Sequence, residues 1–417
     1  MSKPKRVLIA GAGIAGPSLA LLLARNGHSV SVVERAPQLR TTGQQIDVAG
    51  NGVKVTKAMG VCDDLLACTV GDEGIKFVDA ADRSWAAFPV DKESSASAFV
   101  KEIEILRGDM AEVLYQATAD RTDYIFDNII TALEEREEHV TASFSNMPER
   151  DFDIVVAADG LYSKTRDIAF GKSATEIRSL KQCLALMSIP WVESDGTWSQ
   201  WYSAPGGRCV TLRPQAKRKT TGAYLAVMTS ESGSIARLGI DEQKAEFTRL
   251  FQDAGWEAPR VLREMQDNDT MYVQETAQVY TKSWVKGRVA LLGDAGYCPS
   301  GVSGQGTTLA FVGAWILAGC ICTHDDVSEA LRRYEEQMRP FAQRAQKLIP
   351  GVPGIANPQT AWGISFFYTV LWVGNFVIQS GIFALLGRVL GPLAGLVSSK
   401  ELELPEYPAM STRTQGT

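Results

Sequence analysis

Apolar residues follow two distinct rhythms along the chain. Val7-Leu8-Ile9-Ala10 is apolar at four consecutive positions and rich in branched side chains. That is the pattern of a strand covered on both faces inside a parallel sheet. Residues 11–16 break it as a turn, residues 17–26 read as a helix stopped by Gly27, and residues 29–33 return to a buried strand. Together they form a βαβ unit of about 30 residues. Two later runs have the same character. Asp153-Ile154-Val155-Val156-Ala157-Ala158 ends in Asp159-Gly160, and Arg288-Val289-Ala290-Leu291-Leu292 ends in Gly293-Asp294-Ala295 before an apolar helix over residues 307–320. Three such strands imply one nucleotide-binding domain assembled from distant parts of the chain.

The second rhythm occupies residues 180–285. Residues 184–191, 196–203, 208–213 and 222–229 read as strands separated by Pro, Gly, Ser and Asp turns. They suit an antiparallel sheet that walls a ligand. The expected fold is therefore α/β. A doubly wound, Rossmann-like domain spans residues 1–178 plus 285–345, an antiparallel-sheet substrate domain is inserted over 179–284, and an apolar helical segment follows over 346–400.

That last segment is unusual, because residues 348–387 carry no charge at all. Residues 361–378 are interrupted only by Gly363, Ser365, Thr369, Gly374 and Asn375, which reaches the lower edge of membrane-spanning length. Residues 381–397 continue in kind, with Arg388 and Pro392. Three readings stay open: a buried helix at the substrate entrance or between domains, an apolar face for a dimer partner or a membrane surface, and a membrane anchor. Pro350, Pro353 and Pro358 fit a linker into any of them.

Composition narrows the classes further. At 417 residues the chain can bury a large core, and 45% hydrophobic with 22% charged residues is ordinary for a globular protein, apart from a polar tail after Ser411. A net charge of -6 and a pI near 5.4 exclude a nucleic-acid partner, which needs a basic face. Seven scattered cysteines without a Cys-x-x-Cys pair, and only His28, His139 and His324, offer no metal cage. They read as reduced cysteines of a cytoplasmic protein. The apolar N-terminus resembles a signal sequence, but Gly11, Gly13, Gly16 and Pro17 interrupt it, so a strand and turn explain it better.

The chemistry begins at Gly11-Ala12-Gly13-Ile14-Ala15-Gly16, a G-x-G-x-x-G between strand and helix. Gly11 permits the tight turn, Gly13 lets the backbone approach a pyrophosphate, and Gly16 lets helix and strand pack closely. The helix start then offers free N–H groups and a positive dipole end to the anion. Glu34, ending the second strand, completes the fingerprint: its carboxylate accepts from ribose hydroxyls and repels a 2′-phosphate. The expected dinucleotide set is Gly11, Gly13, Ala15, Gly16 and Glu34, whether the ligand is FAD or NAD.

With Asp159-Gly160 and Gly293-Asp294-Ala295 added in this order and spacing, the chain resembles the class A flavoprotein monooxygenases over roughly residues 5–350. Para-hydroxybenzoate hydroxylase and the tetracycline-inactivating monooxygenases belong to that family. The resemblance implies FAD, with Asp294 on the ribityl chain. It sets the loop from Pro299 through Gly304-Gln305-Gly306 against the N1/O2 edge of the isoalloxazine, where oriented backbone dipoles stabilise developing charge. It further implies Arg107, opening a helix, reaching toward the cofactor, and Arg35 near the adenosine. Asp159 stabilises its turn or meets a pyridine nucleotide, and Asp47 passes near the flavin. One departure stands out. Many members read Gly-Asp-Ala-Ala-His here, whereas this chain reads Gly293-Asp294-Ala295-Gly296-Tyr297. The flavin therefore has no neighbouring histidine as acid or base.

No second G-x-G-x-x-G exists, so NAD(P)H is expected to reduce the flavin and leave. O2 then adds at flavin C4a, and the hydroperoxide oxygenates an electron-rich aromatic or polycyclic small molecule. No protein nucleophile and no assignable acid or base is required, only a dry, shaped cavity. Trp191, Trp198, Trp201, Tyr202 and Tyr224 are candidate wall residues, and Arg213 is a candidate to orient an acidic or phenolic group. The rival readings are epoxidation of a terpenoid or polyketide alkene, reduction of isoprenoid double bonds, and a non-enzymatic flavin-binding module.

Overall fold

The buried runs assemble side by side. In the structure, a computed structural model that describes residues 2–71, 73–89, 103–380 and 402–411, six strands form one sheet. Their order is Val285–Lys286, Val289–Leu291, Ile154–Ala157, Arg6–Ala10, Ser29–Val33 and Asp123–Ile125. All neighbours run parallel except the edge strand Val285–Lys286. The period-2 alternation of strands explains why uninterrupted apolar runs are needed here. Val7, Ile9, Val32 and Val156 point into one core, and Leu8, Ala10, Val33 and Val155 into another. The first core is closed by the helices Ala15–Arg25 and Gly306–Thr323. A three-stranded sheet, Ile130–Glu135, Val140–Phe144 and Arg150–Phe152, closes the second.

Gly306–Thr323 lies at the centre of the molecule, against Ala15–Arg25, Asn51–Ala58 and Val327–Ala345. By length and composition it passes for a membrane span, yet 78% of it is buried within the protein. It is apolar all round because protein surrounds it on every side.

Seven strands build the second sheet: Tyr272–Thr281, Thr175–Pro190, Thr220–Met228, Arg208–Gln215, Ser199–Ala204, Gly74–Val78 and Ser84–Pro89. They pair antiparallel except where Gly74–Val78 runs beside Ser199–Ala204. The last two strands come from a stretch whose sequence suggested only the nucleotide-binding part. Thr175–Pro190 also starts earlier than residue 179, and its ladder with Tyr272–Thr281 is irregular at Ser179/Gln182, with Lys181 at φ +57°. One face of this sheet packs on the helices Ile240–Phe251 and Ala258–Gln266 through Phe247, Phe251, Val261 and Met265.

The apolar segment after residue 360 forms the helix Ala361–Gln379 on the opposite face. Ile364, Phe367, Tyr368 and Leu371 pack on Phe77, Phe88 and Trp201. The Tyr368 hydroxyl donates to Val78 O at 2.8 Å and accepts from Ser203 N at 3.0 Å. Trp362, Phe366, Val370, Trp372, Val373 and Phe376 remain exposed. The fully buried reading of this helix therefore gives way to a half-seated one: large apolar residues occupy both sides, and a sheet covers only one. Residues 381–397 and 412–417 lie outside the described residues.

Candidate active site

The strand Arg6–Ala10 ends at Gly11, whose φ is +105° and where a Cβ would stand 2.6 Å from Ala158 O. Only glycine fits, because the end of the neighbouring strand crosses there. At Gly16 a Cβ would stand 2.0 Å from Gly11 O, so this glycine seats the helix on the turn. Gly13 serves otherwise: its missing side chain faces open space, with only Arg107 Nη2 near, at 3.4 Å. Glu34 folds back onto the turn, Oε2 accepting from Ala12 N at 2.9 Å and Oε1 from Ala36 N at 3.0 Å. Each oxygen keeps a second lone pair for a ribose hydroxyl.

From this turn a cavity of about 520 Å³ runs to the seven-stranded sheet. Gly11, Gly13, Ala15, Glu34, Arg35, Asp47, Arg107, Asp294, Pro299, Gly304 and Gly306 all line it. Leu184, Leu186, Tyr224, Gln274 and Thr276 form the sheet wall. Gly16 stands behind the lining, as its packing role requires. Gln305 also turns away: it lines a separate cavity behind the loop, with Asn51, Thr308 and Leu309.

Asp294 opens a short helical turn, Asp294–Tyr297, after Gly293 at φ +63°. Its carboxylate is open to the cavity but enclosed by protein, and this burial pushes its pKa above 3.8 while Cys298 and the Arg107 charge oppose the shift. Arg107 opens the helix Arg107–Gln116. Burial, with Arg40 nearby, draws its pKa down, against Tyr272, Glu34 and Asp294. The loop before Gly306–Thr323 is a cradle that side chains would fill. A Cβ at Gly301 or Gly304 would meet nothing within 4 Å, and at Gly306 it would meet only Asp294 Oδ1, at 3.9 Å. Ser300, at φ +78°, buries an Oγ that finds no hydrogen-bond partner in the protein.

Asp159 is consumed by its own turn. Oδ1 accepts from Ser163 Oγ, and Oδ2 accepts from Thr165 N at 3.1 Å and Thr165 Oγ1 at 3.0 Å. Arg166, which the sequence gave no reason to single out, is 2% exposed. Its Nη1 donates to Leu161 O at 3.0 Å and Ala295 O at 2.9 Å, tying this turn to the Asp294 segment. Tyr297 points into the core, its hydroxyl 3.0 Å from that of Tyr334 and its ring 4.5 Å from Trp284. No histidine lines the cavity among the described residues.

The sheet side of the cavity differs from expectation. Tyr224 lines it, its hydroxyl accepting from Gln45 N at 3.1 Å. Tyr202 does not: alternation sends it to the helical side of the sheet, where its hydroxyl donates to Ala254 O at 2.6 Å and its ring meets Trp256. Arg213 is paired with Glu104 rather than presented to a substrate. Trp191 and Trp198 lie under Lys219 and Lys76, and Trp201 lies under the Ala361–Gln379 helix. Gln44 and Gln45 line the cavity in their place, with Tyr272 donating to Gln44 Oε1.

Glycines that leave room for a pyrophosphate, a hydroxyl without a partner and a carboxylate aimed inward fit a bound dinucleotide. The comparisons identify it, since the FAD binding domain family matches residues 5–348. The chain belongs to the class A FAD-dependent monooxygenases. It is 32% identical to the FAD-dependent monooxygenase asL6 of Sarocladium schorii, over 97% of this chain and 98% of that protein. It is 35% identical to a flavin-dependent monooxygenase of an unknown prokaryotic organism, over 83% and 89% of the two chains. Among solved structures, the tetracycline destructase Tet(55) superposes with a TM-score of 0.77 at 29% identity, covering 98% of this chain and all of that one. This monooxygenase is thus an oxidoreductase with FAD as its cofactor. The isoprenoid reductase and the non-enzymatic module fall away.

Proposed function

We propose that the monooxygenase uses NAD(P)H and O2 to hydroxylate a neutral aromatic or polycyclic small molecule lying on the Leu184, Leu186 and Tyr224 wall. The observation that carries this reading is the character of that wall. It is apolar with a few convergent polar groups, Gln44, Gln45, Tyr224 and Gln274. Glu275, the one charged side chain the sheet brings to the cavity, is occupied by Tyr162 and Ser232 hydroxyls at 3.0 and 2.9 Å.

Reduced flavin and O2 supply an electrophilic oxygen, so the protein's own work is positioning and the exclusion of water. In this reading Glu34 holds the ribose, Asp294 the ribityl chain, and Arg107 the approach to the pyrophosphate. The N–H groups opening Gly306–Thr323 stabilise negative charge at the pyrimidine edge of the ring. Gln45 and Tyr224 orient a hydroxyl or carbonyl of the substrate. An apolar wall also accepts an alkene, and the exposed apolar helix beside it favours lipophilic substrates, so epoxidation is the second reading.

The test is a substrate panel with purified yellow protein, including tetracyclines because of the likeness to Tet(55). NADPH and NADH oxidation, O2 uptake and product mass are followed together. A substrate that accelerates all three and gains one oxygen atom is the expected result. Cofactor oxidation that yields only hydrogen peroxide across aromatic, polycyclic and alkene substrates would sink the proposal.

A further inference from the structure

Two consecutive glutamines, Gln44 and Gln45, line the cavity where the strand Gln45–Val48 begins. Each is gripped by a tyrosine of the seven-stranded sheet. Tyr224 and Tyr272 are the two register partners of Leu186, so a hydroxyl stands on either side of an apolar residue. The Tyr224 hydroxyl accepts from Gln45 N at 3.1 Å, and the Tyr272 hydroxyl donates to Gln44 Oε1. The main chain of Gln44 is held as well, its carbonyl accepting from Arg107 N at 2.9 Å. Beside it Gly43, at φ +148°, lies so close to Arg107 that a Cβ would stand 3.0 Å from Arg107 Cβ.

The grip on Gln44 has a direction. A glutamine amide can present either its oxygen or its NH2 group. Among the described residues, Gln44 Oε1 is the only acceptor bonded to the Tyr272 hydroxyl. Turning the amide over would leave a half-buried O–H without an acceptor, which is costly. Burial, with Tyr224 nearby, holds the Tyr272 pKa above 10, so the phenol keeps its proton to donate. Tyr272 does not line the cavity, whereas Gln44 does. The amide oxygen therefore points to the wall behind, and the NH2 group is the end turned to the cavity. No acceptor among the described residues takes a bond from it.

An NH2 group donates and does not accept, so its complement is an oxygen with free lone pairs and no competing proton. A ring carbonyl meets that need, while a hydrocarbon face leaves both N–H groups unpaired. We infer that Gln44 selects an aromatic or polycyclic substrate by donating to a carbonyl oxygen on it. Tyr272 is the positioning residue that aims the amide. The inference rests on the reading that the substrate lies against the Leu186 and Tyr224 wall.

The test uses the oxidised, FAD-loaded, full-length protein and two tricyclic probes of similar shape. Xanthone carries a ring carbonyl and xanthene lacks it, and binding of each is followed by the perturbation of the visible flavin spectrum. Xanthone should bind the parent protein about tenfold more tightly than xanthene. Gln44→Leu should abolish that preference through weaker xanthone binding, and Tyr272→Phe should reduce it, both with flavin content and melting temperature retained. In the double variant Tyr272→Phe should add nothing, because it acts only through Gln44. Equal binding of the two probes, or no perturbation by either, overturns the inference. So does a preference that survives Gln44→Leu, or a Tyr272→Phe effect that adds to it. A flavin spectrum already shifted in ligand-free Gln44→Leu would put the amide on the flavin and overturn it as well. No turnover is measured, so this test can fail while hydroxylation stands, and succeed where hydroxylation fails.

Discussion

On the proposed reading that Asp294 holds the ribityl chain, the demands of cofactor and fold oppose each other there. An enclosed carboxylate is costly to ionise, and burial holds its pKa above the ordinary 3.8. A raised acid pKa means that the folded apoprotein binds a proton more tightly than the unfolded chain does. The stability linked to that proton is complete below 3.8 and is lost as pH rises through the raised value. The isosteric Asp294→Asn change removes this titration. Its apoprotein should unfold at a temperature no lower than the parent's at pH 7, with a flatter profile on acidification. FAD affinity should fall by about 1–3 kcal/mol, or roughly tenfold to a hundredfold, because a charge-assisted acceptor for the ribityl hydroxyls is gone. Flavin titrations of both proteins, with apoprotein melting from pH 4 to 7, measure the two effects separately. Undiminished FAD binding in Asp294→Asn would remove the assignment of Asp294 to the ribityl chain.

Between elements, a buried polar cluster sits at the far end of the central helix. Lys5 Nζ lies 3.0 Å from His324 O, satisfying a carbonyl just past the end of Gly306–Thr323, and its ammonium complements the helix dipole. Lys5 N donates to His28 Nδ1 at 3.1 Å, and His28 Nε2 stands 3.4 Å from Cys322 Sγ. Burial, then the Lys5 charge, lowers the His28 pKa from 6.5 to about 4. With a depressed pKa the folded state keeps the ring neutral, so stability is complete above 6.5 and is lost as pH falls from there to about 4. The loss should reach roughly 3 kcal/mol, at about 1.4 kcal/mol per pH unit. His28→Gln should unfold with a shallower pH dependence across that window, whatever its absolute stability; equal slopes in denaturant titrations would refute the account.

Legibility in the sequence also divides at this scale. The strands carrying Val7 to Ala10 and Ile154 to Ala157 were readable because burial on both faces leaves an unbroken apolar run. The turn at Gly11 was readable because backbone crossing there admits no side chain. Trp201 and Tyr202 show where such reading stops. Alternation puts them on opposite faces, but only the pairing of their strand with Gly74–Val78 and Arg208–Gln215 decides which face meets the cavity. Arg213 is similar: its partner Glu104 comes from the strand Ile103–Leu106, more than a hundred residues earlier, and nothing near Arg213 announces it. Arg166 escaped notice because its ligands are backbone carbonyls, which carry no sequence signature.

Taken whole, the molecule makes one site from pieces that are individually incomplete. The turn at Gly11, the carboxylate of Glu34, Arg107, Asp294 and the Gly304 loop converge on one cavity although some 290 residues separate the first from the last. The two sheets are not independent, because Thr175–Pro190 and Tyr272–Thr281 run from the sheet wall of the cavity to the loop at Pro299, where Gln278 Nε2 donates to Pro299 O at 3.2 Å. FAD should therefore stabilise the protein as a unit. At a hundredfold excess over its dissociation constant the linkage contribution is about 2.7 kcal/mol, which in a chain of this size raises the melting temperature by roughly a few degrees. Calorimetry should show a single transition that moves as a whole with added FAD, and an Asp294→Ala variant in which that increment disappears. Two transitions of which only one responds would mean that the seven-stranded sheet folds on its own, and that the shared strands join two separable domains.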